Sequence, residues 1–278
     1  MPYREILYAV DDAVAVITMN RPERLNAFTV RMLAEVRHAV AAAEDDARVV
    51  GIILTGAGRG FCAGMDLAAL DDISAGGRFD PTAAGEIAAT PGDPSMGADF
   101  AATFSYFLAV RKPVIAAING PCAGLGLCFA LLCDLRFAER GARFNTAFAA
   151  RGLVAEHGMS WLLPRLVGTG RALDLLWTAR KFAAEEAERW GLVERLCDDG
   201  SALAAARDYV AELARTVSPT SLMVMKQQVY RHLMQTLGPA MQDTERLMQE
   251  SLGRPDFREG VRSFLEQRPP QFARLGSA

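Results

Sequence analysis

Apolar and polar residues alternate in two short runs near the start of the chain, Ile6 to Val10 and Val14 to Asn20, separated by Asp11-Asp12. Successive side chains of a strand point to opposite faces, so this period of two predicts a β-hairpin. Behind Thr29 the period lengthens. Met32, Leu33, Val36 and Val40 fall on one face of a helix, and the Thr29 hydroxyl is suited to cap its first turn. "VVGIILTG" (49–56) is a continuous apolar run of strand length, followed by the glycine-rich "AGRGFCAG". Val114 to Ile118 repeats that pattern and leads through a second glycine-rich turn into a helical run, Leu125 to Leu132. A third short strand, Leu135 to Ala138, follows Asp134. Strands alternating with helices predict an α/β core.

Residues 71 to 97, "DDISAGGRFDPTAAGEIAATPGDPSMG", break both periods and are rich in Gly, Pro, Ala and Asp. They predict a mobile loop or lid outside the core. Ser160 to Val167 is helix-like. From about residue 201 the pattern is almost wholly helical, in runs Ala202–Thr216, Ser221–Thr236, Pro239–Leu252 and a short one around Phe257–Glu266. Apolar faces such as Leu222, Met225, Val229 and Leu233 need covering, so 201–278 is expected to pack on the core formed by 1–200 or on another subunit. No internal repeat is evident.

The longest apolar region, "VIAAINGPCAGLGLCFALLC", has the length of a membrane span. Asn119, Gly120, Pro121, Gly124 and Gly126 divide it into strand, turn and helix, which makes it soluble core. The opening "MPYREILYAV" lacks the basic-then-apolar layout of a secretory signal. A net charge of −3 argues against a nucleic-acid groove. The five cysteines, Cys62, Cys122, Cys128, Cys133 and Cys197, are odd in number and show no CxxC spacing, as expected of free thiols in a reducing cytoplasm. His38, His157 and His232 are scattered, so no metal site is expected.

Candidate chemistry gathers in three places. The loops "FCAGMDL" (61–67) and "NGPCAGLGL" (119–127) each follow a strand, and the second opens a helix whose first N–H groups have no intrahelical partner. Such a pair either makes two tight turns or supplies two backbone donors to one developing oxyanion. Neither loop has the pattern of a nucleotide-phosphate cradle. The third place is "RGLVAEHGMSW" (151–161), where Glu156 and His157 sit among apolar residues. Glu156 is a solvated turn residue, a charge at a helix start, or a base held in an apolar pocket; the last would raise its pKa.

Four stretches, "NRPERLNAF" (20–28), "VVGIILTGAGRGFCAGMDL" (49–67), "KPVIAAINGPCAGLGLCFALLCDLRFA" (112–138) and "RPDFREGVRSFLEQRPPQF" (254–272), together resemble the crotonase family, the enoyl-CoA hydratase/isomerase superfamily. The resemblance spans nearly the whole chain with the motifs in order. It implies a crotonase-like spiral of ββα units with a helical C-terminal trimerisation region, and hence a homotrimer or homohexamer. It also implies acyl-CoA substrates, with coenzyme A as part of the substrate and no separate cofactor. In that fold the thioester oxygen sits between two backbone amides, which by position are those of Met65 and Leu125. Leu125 stands where the family commonly has glycine. Arg24, Leu25, Ala27, Ala63, Asp66, Leu67, Gly124, Cys128 and Phe148 are the matching substrate and CoA positions. Arg24 is near the coenzyme's phosphates or is an ordinary surface arginine. Asp66 opens a helix, lines the acyl-CoA site, or does both.

Two of these positions depart from the family. The hydratases' paired carboxylates fall at Cys128 and Phe148, and neither a thiol nor a phenyl ring holds water as two glutamates do. Other branches carry their acid/base or nucleophile later, in a stretch similar to "GLVAEHG". Peroxisomal-type Δ3,Δ2-enoyl-CoA isomerases have a glutamate there, and the 4-chlorobenzoyl-CoA dehalogenase pattern, aligned on "PRLVG" (164–168), puts its aspartate there too. The resemblance therefore makes Glu156 the acid/base of a double-bond isomerisation; His157 beside it is a supporting or structural residue, or shares in the catalysis. Hydration by a non-standard site, dehalogenase- or hydrolase-like attack by Glu156, and acyl-CoA binding without catalysis stay open beside it.

Overall fold

The computed structural model describes residues 3–77 and 87–276. Its opening hairpin follows the alternation: β1 (Ile6–Asp11) and β2 (Val14–Met19) pair antiparallel with Ile6 opposite Met19. Thr29 Oγ1 accepts the Met32 amide at 3.0 Å and so starts α1 (Val30–Asp45). After β3 (Gly51–Gly56) come α2 (Leu67–Ser74), the single turn α3 (Tyr106–Ala109) and β4 (Val114–Ile118). The second glycine-rich loop contains β5 (Cys122–Ala123) and opens α4 (Leu125–Leu132), which is followed by β6 (Leu135–Glu139) and β7 (Arg143–Asn145). Next are α5 (Met159–Val167), α6 (Thr169–Thr178), β8 (Phe182–Ala183), α7 (Ala184–Arg189) and β9 (Arg195–Cys197). Four helices close the chain: α8 (Ala202–Thr216), α9 (Pro219–His232), α10 (Leu237–Leu252) and α11 (Pro255–Leu265).

Six strands form one sheet in the order β1-β2-β3-β4-β6-β9, parallel except for the opening hairpin. A second sheet, β5-β7-β8, stands beside it and carries the second glycine loop. The central strands are buried on both faces, as parallel strands between helical layers must be. Their side chains alternate between two cores. Ile52, Leu54, Val114, Ala116 and Ile118 join α1 and α4 on one face, while Ile53, Ile115 and Ala117 meet Ala202, Ala206 and Val210 of α8 on the other. Gly51 lets α8 come close, because a Cβ there would lie 2.8 Å from Val210 Cγ1. Of the four C-terminal helices, α8 therefore covers the sheet of its own chain. Met225, Val229, Leu237 and Phe264, on α9 to α11, stay exposed.

The segment 71–97, expected to be a loop outside the core, differs at both of its described ends. Its start is the last part of α2, and its end is tied down. Gly92 donates its amide to the buried Glu44 carboxylate at 2.6 Å, and Met96 is buried in the main core. Glu44 also accepts the Arg111 amide at 2.8 Å, so one carboxylate holds two crossing segments together. The remainder, 78–86, lies outside the described residues.

Helix α9 is fastened to the core by a polar clamp. Lys226 Nζ lies 2.8 Å from Asp134 Oδ2 and also donates to the carbonyls of Phe107 and Lys112. Tyr230 donates to Asp134 Oδ1 at 2.9 Å, and the Val114 amide donates to Oδ2 at 2.7 Å. Removing the cation leaves two carbonyls and a largely buried carboxylate short of a partner. Lys226→Met is therefore expected to lower unfolding free energy by about 2–4 kcal/mol, slightly under the usual cost of breaking a buried pair because Asp134 keeps its other donors. A denaturant titration read by far-UV circular dichroism measures it.

Candidate active site

Two glycine loops make the floor of the site, and their backbones interlock. The amides of Phe61 and Cys62 both donate to the Pro121 carbonyl, at 3.2 and 3.1 Å, and the Ala123 amide returns a bond to the Cys62 carbonyl at 2.9 Å. Side chains would prevent this approach. A Cβ on Gly126 would sit 2.4 Å from the Cys62 carbonyl oxygen, and one on Gly120 would sit 2.3 Å from that of Arg59. Gly64 and Gly124 have φ of +108° and +51°, conformations that cost a side-chain-bearing residue energy. A Cβ on Gly64 would lie only 3.7 Å from the Leu125 nitrogen, so the Met65 and Leu125 corners face each other. Leu125 opens α4, where an amide has no intrahelical acceptor. Neither amide donates to another described residue.

Above these corners lies a cavity of about 210 Å³. Ala63, Gly64 and Met65 line it from the first loop, and Gly124 and Leu125 from the second. Leu70 and Ile73 of α2 supply one apolar wall, with Ala147, Phe148 and Leu153 on the others. Among the described residues its ionisable groups are Glu156, His157 and Arg151. Glu156 precedes α5, whose N-terminus is set by Gly158 with φ +80° rather than by a side-chain cap. Its carbonyl accepts the Met159 amide at 2.9 Å, which fixes the backbone while the carboxylate enters the cavity.

The Glu156 side chain keeps 33% of its exposure, and this partial burial raises its pKa above that of an ordinary glutamate. Burial acts oppositely on His157 and lowers its pKa. The His157 Nε2 to Glu156 Oε2 separation is 3.7 Å. Cys128 lies behind this pair. It is fully buried, its Sγ is 3.7 Å from the Glu156 carbonyl, and burial pushes its thiol pKa far up. Phe148 is buried in the cavity wall. Neither residue holds an ionised group there.

The other residues singled out from the sequence lie outside this cavity. Asp66 caps α2 through the Ala68 amide at 3.0 Å and pairs with Arg21 Nη1 at 2.9 Å. Burial pushes its carboxyl up, but those hydrogen bonds win and hold it below the usual range. Arg24 and Leu67 are exposed. Leu25 and Ala27 belong to the strip beside the first loop, where the Leu25 carbonyl accepts the Ala63 amide at 3.0 Å and Phe28 pairs with Met65. Sequence reasoning passed over Leu70 and Ile73: α2 spans Leu67–Ser74, and its second half, with Ile73, fell in the segment 71–97 read as a loop. It also passed over Arg151 and Ala147, the latter at φ +66°. No signal short of the fold joins those two to Glu156.

A sheet flanked by helices, with two glycine loops beside one cavity lined by a glutamate, is a crotonase-like architecture. The solved enoyl-CoA hydratase of Bacillus anthracis superposes with a TM-score of 0.84 at 26% identity, covering 99% of this chain and 100% of that one. That of Mycobacterium tuberculosis H37Rv superposes at 0.83 and 27%, covering 98% and 99%. The chain belongs to the enoyl-CoA hydratase/isomerase family, whose profile matches residues 9–274. It is 37% identical to the 1,2-epoxyphenylacetyl-CoA isomerase of Escherichia coli K12, over 96% of this chain and 97% of the relative. It is equally identical to a Rhodobacter capsulatus protein named "Probable enoyl-CoA hydratase", over 98% and 99%.

The interlocked loops tolerate no added carbon at their contact. Gly126→Ala is expected to cost about 1–3 kcal/mol, the usual penalty for overpacking. Gly170→Ala, with nothing within 4 Å of the new methyl, serves as control and should be neutral or slightly stabilising. Thermal midpoints of the two variants against the parent decide it.

Proposed function

We propose that this protein is an acyl-CoA isomerase that moves a double bond by proton transfer, with Glu156 as the acid/base. The observation that carries the reading is a partly buried glutamate, the one carboxylate among the described residues that line the cavity shared with Met65 and Leu125. The thioester carbonyl would rest between those two amides. As C2 loses a proton, negative charge grows on the carbonyl oxygen, and each preorganised donor stabilises it by roughly 2.7–4 kcal/mol, by analogy with other oxyanion holes. Glu156 takes the C2 proton of a 3-enoyl thioester, giving a dienolate, and returns it to C4 to leave the 2-enoyl thioester. Its raised pKa brings its basicity closer to the task. The step consumes and returns one proton, so its balance calls for neither a metal nor a redox cofactor.

Cys128 and Phe148 support isomerisation over hydration, since neither can position and deprotonate water. The isomerase named among the relatives supports it as well, while the relatives named hydratase make the comparison with hydration the necessary control. The exposed apolar residues of α9 to α11 support a homotrimer or homohexamer built through that face.

Glu156→Gln keeps the size of the side chain but cannot accept a proton. Isomerisation of a 3-enoyl-CoA and C2-deuterium exchange are expected to fall together by about 10²–10⁴-fold, with acyl-CoA binding retained. In the parent, exchange should rise with pH through a midpoint above the ordinary glutamate value, because the base must be ionised and burial opposes ionisation. An active Gln variant ends the proposal. Crotonyl-CoA hydration, followed by loss of absorbance of the enoyl thioester, should be weak or absent; brisk hydration would transfer the assignment to the hydratases.

A further inference from the structure

His157 has a place that its neighbour's chemistry does not explain. Its φ is +51°, in a region where glycine is the default, and Gly158 at +80° follows it directly. Two left-handed residues in succession turn the chain sharply before α5, and the first of them carries a bulky ring. Strain of this kind is retained where the side chain has a task.

The ring lies between two cavities. On one side is the 210 Å³ cavity of Glu156. On the other is a second cavity of about 330 Å³, lined mainly by Phe100, Phe104, Leu108, Trp161 and Met234. Among the described residues His157 is the one that lines both. Phe104 meets it edge to face, with centroids 4.9 Å apart, and Phe104 is itself held against Phe129 at 4.9 Å. The partition is thus an imidazole braced by an aromatic stack anchored in the core. The second cavity is mainly apolar and aromatic, with Asp99, Thr103 and Ser105 also in its lining. Its largely apolar and aromatic lining fits a hydrocarbon extension of an acyl group.

We propose that His157 is a specificity residue that closes the second cavity to the acyl group, so that the protein favours acyl-CoA thioesters whose acyl part fits the Glu156 cavity alone. The inference rests on the acyl-CoA reading above, but not on Glu156 being the base. His157→Gly suits the left-handed backbone, so the fold is expected to survive while the partition disappears. His157→Asn also tolerates that backbone and leaves a smaller wall.

The test measures binding, which needs no turnover. Butanoyl-CoA and dodecanoyl-CoA are titrated calorimetrically into the parent and both variants, each as the full chain. Dodecanoyl-CoA should bind about tenfold or more tighter to His157→Gly, and less so to His157→Asn, with butanoyl-CoA within about threefold of the parent throughout. Equal changes for both ligands would mean a merely structural histidine and overturn the proposal, as would an unchanged preference in both variants. C2-deuterium exchange run beside it separates the two readings. Chain-length preference that shifts without any exchange condemns Glu156 as base and leaves the partition standing; exchange abolished by Glu156→Gln with an unmoved preference does the reverse.

Discussion

The close approach of two backbone loops is the constraint on which the rest of the site depends. Residues 61–65 and 120–126 share the Pro121 and Cys62 carbonyls, and the contact leaves no room for a side chain on Gly120 or Gly126. Everything around it keeps that contact in register. The parallel sheet brings the ends of β3 and β4 together, and the first loop follows β3 while the second follows β4. The small sheet then carries the second loop onward, with the Gly124 amide bonded to the Asn145 carbonyl at 2.9 Å. The loops are therefore held from both sides, and rigid elements place reacting donors better than free loops do.

Electrostatics at the site follow from what is missing as much as from what is present. Phe148, Leu70, Ile73 and Leu153 make walls of low polarity around one carboxylate. Burial is what raises the Glu156 pKa. Asp66 shows the contrast. It is likewise partly buried, yet Arg21 and the first turn of α2 hold its carboxyl down, and its role is to fix a helix. The two acids are thus shifted in opposite directions by their neighbours, not by their residue type.

Much of the architecture was legible because its signals are local. The bounds of α4 and α8 match the apolar runs, and the Thr29 cap forms as its hydroxyl predicts. The alternation within "VVGIILTG" appears as Ile52 and Leu54 on one core and Ile53 on the other. Less was legible in 169–200, where α6, α7 and β9 are short and make weak periodic patterns. The end of segment 71–97 was misread since what ties it down is Glu44, about fifty residues away in sequence.

By itself the sequence marked residues able to carry chemistry: two glycine loops able to present amides, one glutamate in an apolar stretch, and a thiol at Cys128 with a phenyl ring at Phe148. Local composition decides such things, because glycine, glutamate and cysteine bring fixed chemical capacities wherever they stand. Only the tertiary structure decided which of them meet. It brought Glu156 to the same cavity as Met65 and Leu125, moved Arg24 and Leu67 to the surface, and buried Cys128 against the Glu156 backbone. It also placed His157 between two cavities, through a left-handed turn that no pattern of hydrophobic spacing announces. These are matters of distance between segments far apart in the chain, and they exist only once the sheet has brought those segments together.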